Sequence, residues 1–194
     1  MIFSLFNDAP RVTVHVPRVH RQKQTWQPRM GDIFPDFQAP TTQGWISFHD
    51  WAEGRWTHLW NLGAAQCPDF LTGASIAERP GDPDGSLRSI ALSRGDDVEN
   101  RDWLGRLALT GTATVRFPII ADPQGILHSA LGLEDSGVTH RQFHRSFLID
   151  PAMRIRACLD YPTAIHRTMD ELVRIACELR TVDGAKSRQL AMMV

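Results

Sequence analysis

Cysteine is scarce in this sequence, whose 194 residues include only Cys67, Cys158 and Cys177. The set is odd in number and widely spaced, and no two of the three form a Cys-x-x-Cys pair. This excludes a scaffold stapled by disulfides and favours reduced thiols, which are typical of a cytoplasmic protein.

An excess of one charge and a long apolar run are also missing. The 21 basic and 22 acidic side chains give a net charge of −1, so nothing favours binding to nucleic acid or to an anionic membrane. No apolar run approaches the ~20 residues of a membrane span. The first eight residues have no basic segment and no small-residue cleavage site, which argues against secretion. The 42% apolar content suits one globular domain with a substantial core.

Cofactor motifs are absent as well. The eight histidines show no ligand spacing typical of a metal site, because His140 and His144, although four apart, lead into a strand. No glycine-rich phosphate loop and no Ser/His/Asp order appears. We therefore expect neither a metal nor another cofactor.

The most informative stretch runs from Trp56 to Phe70. Residues 56–61 read as a buried strand, which breaks at Gly63, and Pro68 suits the first position of a helix. Cys67 thus lies where a strand gives way to a helix N-terminus. Unpaired N–H groups and the positive end of the helix dipole converge there, so we expect its thiol to ionise easily.

The rest of the chain alternates strands and helices, which predicts an α/β fold with a mixed sheet covered on both faces. We divide it into an N-terminal extension (1–30) with an edge strand around Val14, a domain (31–180) and a C-terminal tail (181–194). Further strands are predicted at 44–51, 89–93 and 117–120, and a hairpin at 145–149 and 155–159, with a loop at 78–88.

Three more helices are predicted after the one that follows Cys67. Asp97 is the expected N-cap of the first, which should bury Trp103, Leu104, Leu107 and Ala108. A short helix is expected to end at Gly132. The last helix has apolar residues at a 3–4 spacing from Ile165 to Leu179 and is expected to end near Arg180.

Several segments occur in the order of a known family. They are Gly31-Asp-Ile-Phe-Pro-Asp-Phe37, Phe48-His-Asp-Trp51, Ile90-Ala-Leu-Ser93, Phe117-Pro-Ile-Ile-Ala-Asp122, Arg145-Ser-Phe-Leu-Ile-Asp-Pro151 and Tyr161-Pro-Thr163. Together they resemble a peroxiredoxin of the alkyl hydroperoxide reductase/thiol-specific antioxidant group, closest to the one-Cys class. The resemblance implies a thioredoxin-like fold, a peroxide substrate, an external thiol reductant and a homodimer formed through the late hairpin.

The active turn of this family reads Pro-x-x-x-Thr-x-x-Cys, and two registers fit this chain. Threading without a gap puts the Pro position at Gly63, the Thr position at Cys67 and the peroxidatic Cys position at Phe70. Pro68 then keeps the proline that often follows the Thr, and we prefer this register. A three-residue deletion instead makes Cys67 the peroxidatic residue, and the spacing to residues 90–93 supports that choice.

The resemblance also assigns the cations of the site. Arg145 stands at the position of the arginine that lowers the thiolate pKa, and Arg167 is a second such position. We therefore predict catalytic roles for Cys67 and Arg145, and substrate contacts for Gly63, Phe70 and Arg167. The leading function is a thiol peroxidase using Cys67. The alternative is a catalytically silent binding module, because Phe70 cannot attack peroxide. Cys158 and Cys177 are expected to be inert.

Overall fold

The computed structural model describes residues 13–15, 27–62, 87–109, 115–133, 143–162 and 169–191. Within these ranges the chain forms eight strands and four helices. In chain order they are β1 (Thr13–His15), β2 (Asp36–Thr41), β3 (Gly44–Ser47), α1 (Phe48–Ala52), β4 (Trp56–Asn61), β5 (Leu87–Ser93), α2 (Asp97–Leu109), β6 (Ile119–Ala121), α3 (Ile126–Ala130), β7 (Phe143–Ile149), β8 (Ile155–Pro162) and α4 (Met169–Ala191).

The described strands join one sheet in the order β1-β2-β6-β5-β4-β7-β8, with β3 paired to β2. β4 lies in the interior of this sheet, and all six of its residues are buried. It runs parallel to β5 and antiparallel to β7. The predicted mixed sheet is confirmed, and so are both ends of the strand predicted at 56–61.

Helices pack on both faces of the sheet because successive residues of β4 point in opposite directions. Trp60 belongs to a buried cluster with Trp103 of α2 and Leu172 of α4. Its neighbour Leu59 packs on the other face, in a cluster that includes Leu127 of α3. The prediction of helices on both faces is therefore confirmed.

The strand predicted at 44–51 is right as far as Ser47 and wrong beyond it, because Phe48 begins α1. The Asp36 carboxylate accepts the His49 backbone N–H at 3.0 Å. The buried Phe48 ring stacks on Phe37, with ring centroids 4.9 Å apart. Both partners lie on β2, so the alternation of residues 44–51 could not indicate where the strand stops.

The N-cap of α2 is Asp96 rather than the predicted Asp97. Asp96 Oδ1 accepts the Glu99 N–H at 2.8 Å, and the Glu99 carboxylate accepts the Asp96 N–H at 3.0 Å, which makes a reciprocal capping box. Ala108 is exposed, contrary to the prediction. The other side chains expected on the buried side do lie in or against the core: Trp103, Leu104 and Leu107.

The end predicted for the last helix near Arg180 is wrong, because α4 continues to Ala191. An ion pair holds this continuation to the sheet: Arg156 Nη1 and Nη2 lie 2.6 and 3.1 Å from the Asp183 carboxylate. Arg156 Nη1 also donates to Asp150 at 3.2 Å. The helix therefore remains anchored beyond the point where its apolar spacing ends.

Smaller differences concern the ends of other elements. β1 pairs with β2 at the sheet margin, which confirms the predicted edge strand. β5 begins at Leu87, inside the loop predicted at 78–88, and the rest of that loop lies outside the described residues. β6 spans Ile119–Ala121 instead of 117–120. The predicted hairpin and the short helix before Gly132 are confirmed. Among the described helices, none is long and apolar enough to cross a membrane.

Candidate functional site

Four of the five predicted site residues lie outside the described residues: Gly63, Cys67, Phe70 and Arg167. β4 ends at Asn61, six residues before Cys67, and the chain is described up to Leu62, whose N–H donates to the Leu92 carbonyl at 2.8 Å. The fifth residue, Arg145, lies on the neighbouring strand β7. The described part of the candidate site can therefore be built from the end of β4 outward.

Asn61 ties the end of β4 to β7. The ladder between these two strands ends at the pair Trp60 and Ser146. Beyond this pair the Asn61 side chain makes the hydrogen bonds between the two strands. Its Oδ1 accepts the Arg145 N–H at 2.7 Å, and its Nδ2 donates to the Phe143 carbonyl at 3.3 Å. Asn61 is only 4% exposed. Its amide thus fixes the backbone of Arg145 beside the end of β4.

The Arg145 guanidinium forms a bidentate ion pair with Asp160 on β8. Nε and Nη2 each lie 2.6 Å from one oxygen of the Asp160 carboxylate, which is the forked geometry of a strong arginine–carboxylate pair. The side chains are 17% and 48% exposed, respectively. The guanidinium also lies 5.1 Å from the centre of the Phe143 ring. The hydrogen bonds that Arg145 donates to Asp160 raise the pKa of the guanidinium above its ordinary value, so the group stays cationic.

Cys158 stands on the same strand and the same face as Asp160, because residues two apart on a strand share a face. It is half-buried. Burial is the largest effect and raises the pKa of this thiol, Arg145 opposes that rise, and the charges of Asp160 and Asp32 add to it. A thiol whose pKa is raised carries little thiolate at neutral pH. The structure therefore favours the predicted inert role of Cys158.

Cys177 is the other thiol that the structure describes, and it lies half-buried on α4. Its Sγ is 3.9 Å from Arg180 Nη2. α4 packs on the Trp60 face of the sheet, opposite the face that carries Leu59. Cys177 therefore lies on a helix that covers the face of the sheet opposite to Arg145.

No group of three or more metal-ligating side chains is assembled within the described ranges. Three histidines of that part of the chain contact protein groups, and His49 has the structural role expected of it. The distances are 2.8 Å from His49 Nε2 to the Phe34 carbonyl oxygen, 3.1 Å from His58 Nε2 to Ser146 Oγ and 2.7 Å from His128 Nδ1 to Asp122 Oδ2.

Over 164 residues this chain is 32% identical to a peroxiredoxin of Methanosarcina mazei, and the match covers 79% of this chain and 74% of that relative. The chain belongs to the peroxiredoxin family. A probable 1-Cys peroxiredoxin of Syntrichia ruralis is 27% identical, over 81% of this chain and 76% of its own. No family model matches the chain.

Solved structures show the same fold. The peroxiredoxin domain matches a yeast mitochondrial 1-Cys peroxiredoxin with a TM-score of 0.71 and 23% identity, over 80% of this chain and 78% of that one. The thioredoxin-like fold expected from the sequence is confirmed, and one-Cys proteins occur among both the sequence relatives and the structures. The roles of Cys67, Arg145, Gly63, Phe70 and Arg167 remain predictions.

Sequence reasoning missed two residues that hold Arg145 in place, Asn61 and Asp160. Asn61 is a polar residue that closes a fully buried strand, and that position was a signal that its amide has a partner. Asp160 interrupts the half-buried face of β8 beside Cys158, but nothing local in the sequence pairs it with Arg145, which is 15 residues away.

Proposed function

We propose that this peroxiredoxin is a thiol-dependent peroxidase in which Cys67 is the nucleophile and Arg145 stabilises its thiolate. The observation that supports this is the position of Arg145: Asn61 fixes its backbone at the end of β4, the strand that ends six residues before Cys67 in the sequence. A cation beside a thiol lowers the thiol pKa and stabilises negative charge that develops on a peroxide oxygen.

The reaction is a nucleophilic displacement on oxygen. The Cys67 thiolate forms a bond with the terminal oxygen of the peroxide as the O–O bond breaks. The departing oxygen takes a proton and leaves as water or an alcohol, and Cys67 is left as a sulfenic acid. A first external thiol then forms a disulfide with Cys67 and releases water, and a second thiol reduces this disulfide.

The reductant is proposed to be an external thiol because the two other cysteines are poorly suited to the role. Burial raises the pKa of Cys158, and Cys177 lies on α4, over the opposite face of the sheet. Peroxide consumption should therefore depend on an added thiol such as dithiothreitol.

The test is peroxide consumption by three single variants in the presence of dithiothreitol. Cys67→Ser should abolish consumption, whereas Cys158→Ser and Cys177→Ser should retain it, and these two serve as matched controls. Loss of activity in Cys158→Ser with normal activity in Cys67→Ser would overturn the assignment. Activity equal to the reagent blank in the wild-type protein would favour the catalytically silent alternative.

We also propose a homodimer formed through β8. This strand lies at one margin of the sheet and pairs, among the described strands, with β7 alone. A strand at the margin of a sheet is a template for a second strand. A second copy of this chain would cover the part of β8 that follows Ile155, whose N–H and carbonyl already pair with Asp32 and Gly31. Light scattering should give a dimer that survives dilution to low micromolar concentration, and a monomer at every concentration would contradict this.

A cytoplasmic location is proposed as well, on the grounds of the cysteine content. Three widely spaced cysteines without a Cys-x-x-Cys pair suit a reducing compartment. Fractionation of the native cells should recover the protein with cytoplasmic markers and with all three thiols reduced. Recovery with exported proteins would contradict the proposal.

A further inference from the structure

The Arg145 guanidinium offers a ligand only part of its hydrogen-bonding edge. Nε and Nη2 are engaged by the two oxygens of Asp160, and Arg145 Nη1 has no acceptor among the described residues. A Cβ built at Gly132 would lie 3.6 Å from this Nη1 and 3.3 Å from Cγ of Gln27, so this end of the guanidinium lies near Gly132 and the Gln27 side chain. Gly132 has a positive φ of 65°, which a larger residue adopts at a cost.

The position of the guanidinium is determined by several contacts at once. The ring centres of Phe143 and Phe147 lie 5.1 and 6.0 Å from Arg145 Cζ. Asp160 then fixes rotation about the end of the side chain, because a forked pair has only one planar arrangement. The backbone N–H of Arg145 is held separately by Asn61.

We propose that Asp160 is a positioning residue of this site: it holds the Arg145 guanidinium by its Nε–Nη2 edge, leaves Nη1 as the donor for the peroxide oxygen or thiolate, and offsets part of the cation's charge. The inference rests on the proposed function of Arg145 in peroxide reduction. Asp160 itself does not touch the reacting atoms in this scheme. It acts through Arg145: its carboxylate fixes the orientation of the guanidinium, and its negative charge reduces the effect of the cation on the thiol pKa.

Cys158 provides a reporter of this charge balance that does not depend on peroxide chemistry. Its thiol feels Arg145, Asp160 and Asp32, and Arg145 acts in the direction opposite to the two carboxylates. Removing the charge of Asp160 should therefore lower the Cys158 pKa and increase the thiolate fraction, whereas removing Arg145 should raise the pKa and decrease that fraction.

The first experiment measures iodoacetamide alkylation of Cys158 at pH 7.5 in a Cys67→Ser, Cys177→Ser background. Asp160→Asn should react roughly threefold faster and Arg145→Gln roughly threefold slower, which is the effect of one nearby unit charge in a half-exposed site. Glu178→Gln is the matched control, since it removes an exposed carboxylate that pairs with an arginine on α4. Equal rates in all four proteins would overturn the charge part of the proposal.

The second experiment measures the rate of peroxide reaction against pH with Cys67 present and Cys158→Ser as background. Asp160→Asn and Asp160→Ala should both move the profile to lower pH, and Asp160→Ala should also reduce the plateau rate by about tenfold because the guanidinium is no longer held. Asp160→Glu should restore the profile. A structural role alone would lower the melting temperature and leave the profile in place, and that result would overturn the proposal.

The two experiments separate this inference from the proposed function. If the wild-type protein does not consume peroxide, the proposed function fails, and the Cys158 rates still decide whether Asp160 holds and offsets the cation. If peroxide is consumed and the Asp160 variants leave both the profile and the Cys158 rates unchanged, the function stands and the inference fails.

Discussion

Replacing Asn61 by alanine tests the link between the end of β4 and Arg145. The side chain makes two hydrogen bonds to β7, at 2.7 and 3.3 Å, and is 4% exposed. Asn61→Ala would leave the Arg145 N–H and the Phe143 carbonyl without these partners in a buried place. Each such group costs about 1–3 kcal/mol, so we expect about 2–4 kcal/mol of lost stability after partial relaxation.

The assay is thermal unfolding together with peroxide kinetics. For a chain of this size 1 kcal/mol corresponds to about 2–4 °C, so the melting temperature should fall by roughly 5–15 °C. The peroxide rate at a temperature where the variant is folded should fall as well, because the strand that carries Arg145 is released. Arg145 would then be farther from the Cys67 turn on average.

Asn100→Ala is the matched control for this experiment. Asn100 is also 4% exposed, but its Nδ2 makes a long bond of 3.4 Å to the Gly95 carbonyl at the start of α2. Asn100→Ala should lower the free energy of unfolding by about 1 kcal/mol and leave the peroxide rate unchanged. Equal loss of stability in both variants, with equal peroxide rates, would refute the view that the Asn61 side chain holds β4 and β7 together.

Three further predictions follow from other parts of the chain. Arg156→Gln should free the end of α4 by removing its pair with Asp183, seen as faster hydrogen exchange in residues 181–191, whereas Arg174→Gln on the exposed face should not; equal exchange in both would contradict the anchor. In the register without a gap, wild-type peroxide turnover through Cys67 should be weak and Phe70→Cys should raise it, whereas robust wild-type turnover abolished by Cys67→Ser would show the other register. Deleting residues 186–194 should weaken the dimer without unfolding the domain, as light scattering would show; a truncated chain that dimerises as tightly as the full one would make these residues a dispensable end.

The sequence predicts those elements whose signal is local. Both ends of β4 can be predicted because its apolar run in the sequence lies between two glycines, Gly54 and Gly63. The strand before α1 was extended too far because the competing contact, from Asp36 to the His49 N–H, comes from another strand. The end of α4 was placed too early for the same reason, since Arg156 and Asp183 are 27 residues apart.

In the candidate site, too, only the feature with a local sequence signal could be predicted. Arg145 could be predicted from the ordered family segments, since it lies inside Arg145-Ser-Phe-Leu-Ile-Asp-Pro151. Its partner Asp160 and its backbone anchor Asn61 could not, because both contacts are made across strands and depend on the register of β7 against its neighbours. A strand pairing of this kind is specified by the whole sheet rather than by any one segment.

The reactivity of Cys67 tests the central claim most directly. The measurement is the rate of alkylation against pH in three proteins that each keep one cysteine: Cys67, Cys158 or Cys177. The account predicts a Cys67 profile with an apparent pKa below the ~8.5 of a free thiol, and faster reaction at neutral pH than either of the other two. A Cys67 profile at or above that of a free thiol would contradict an activated nucleophile at this turn.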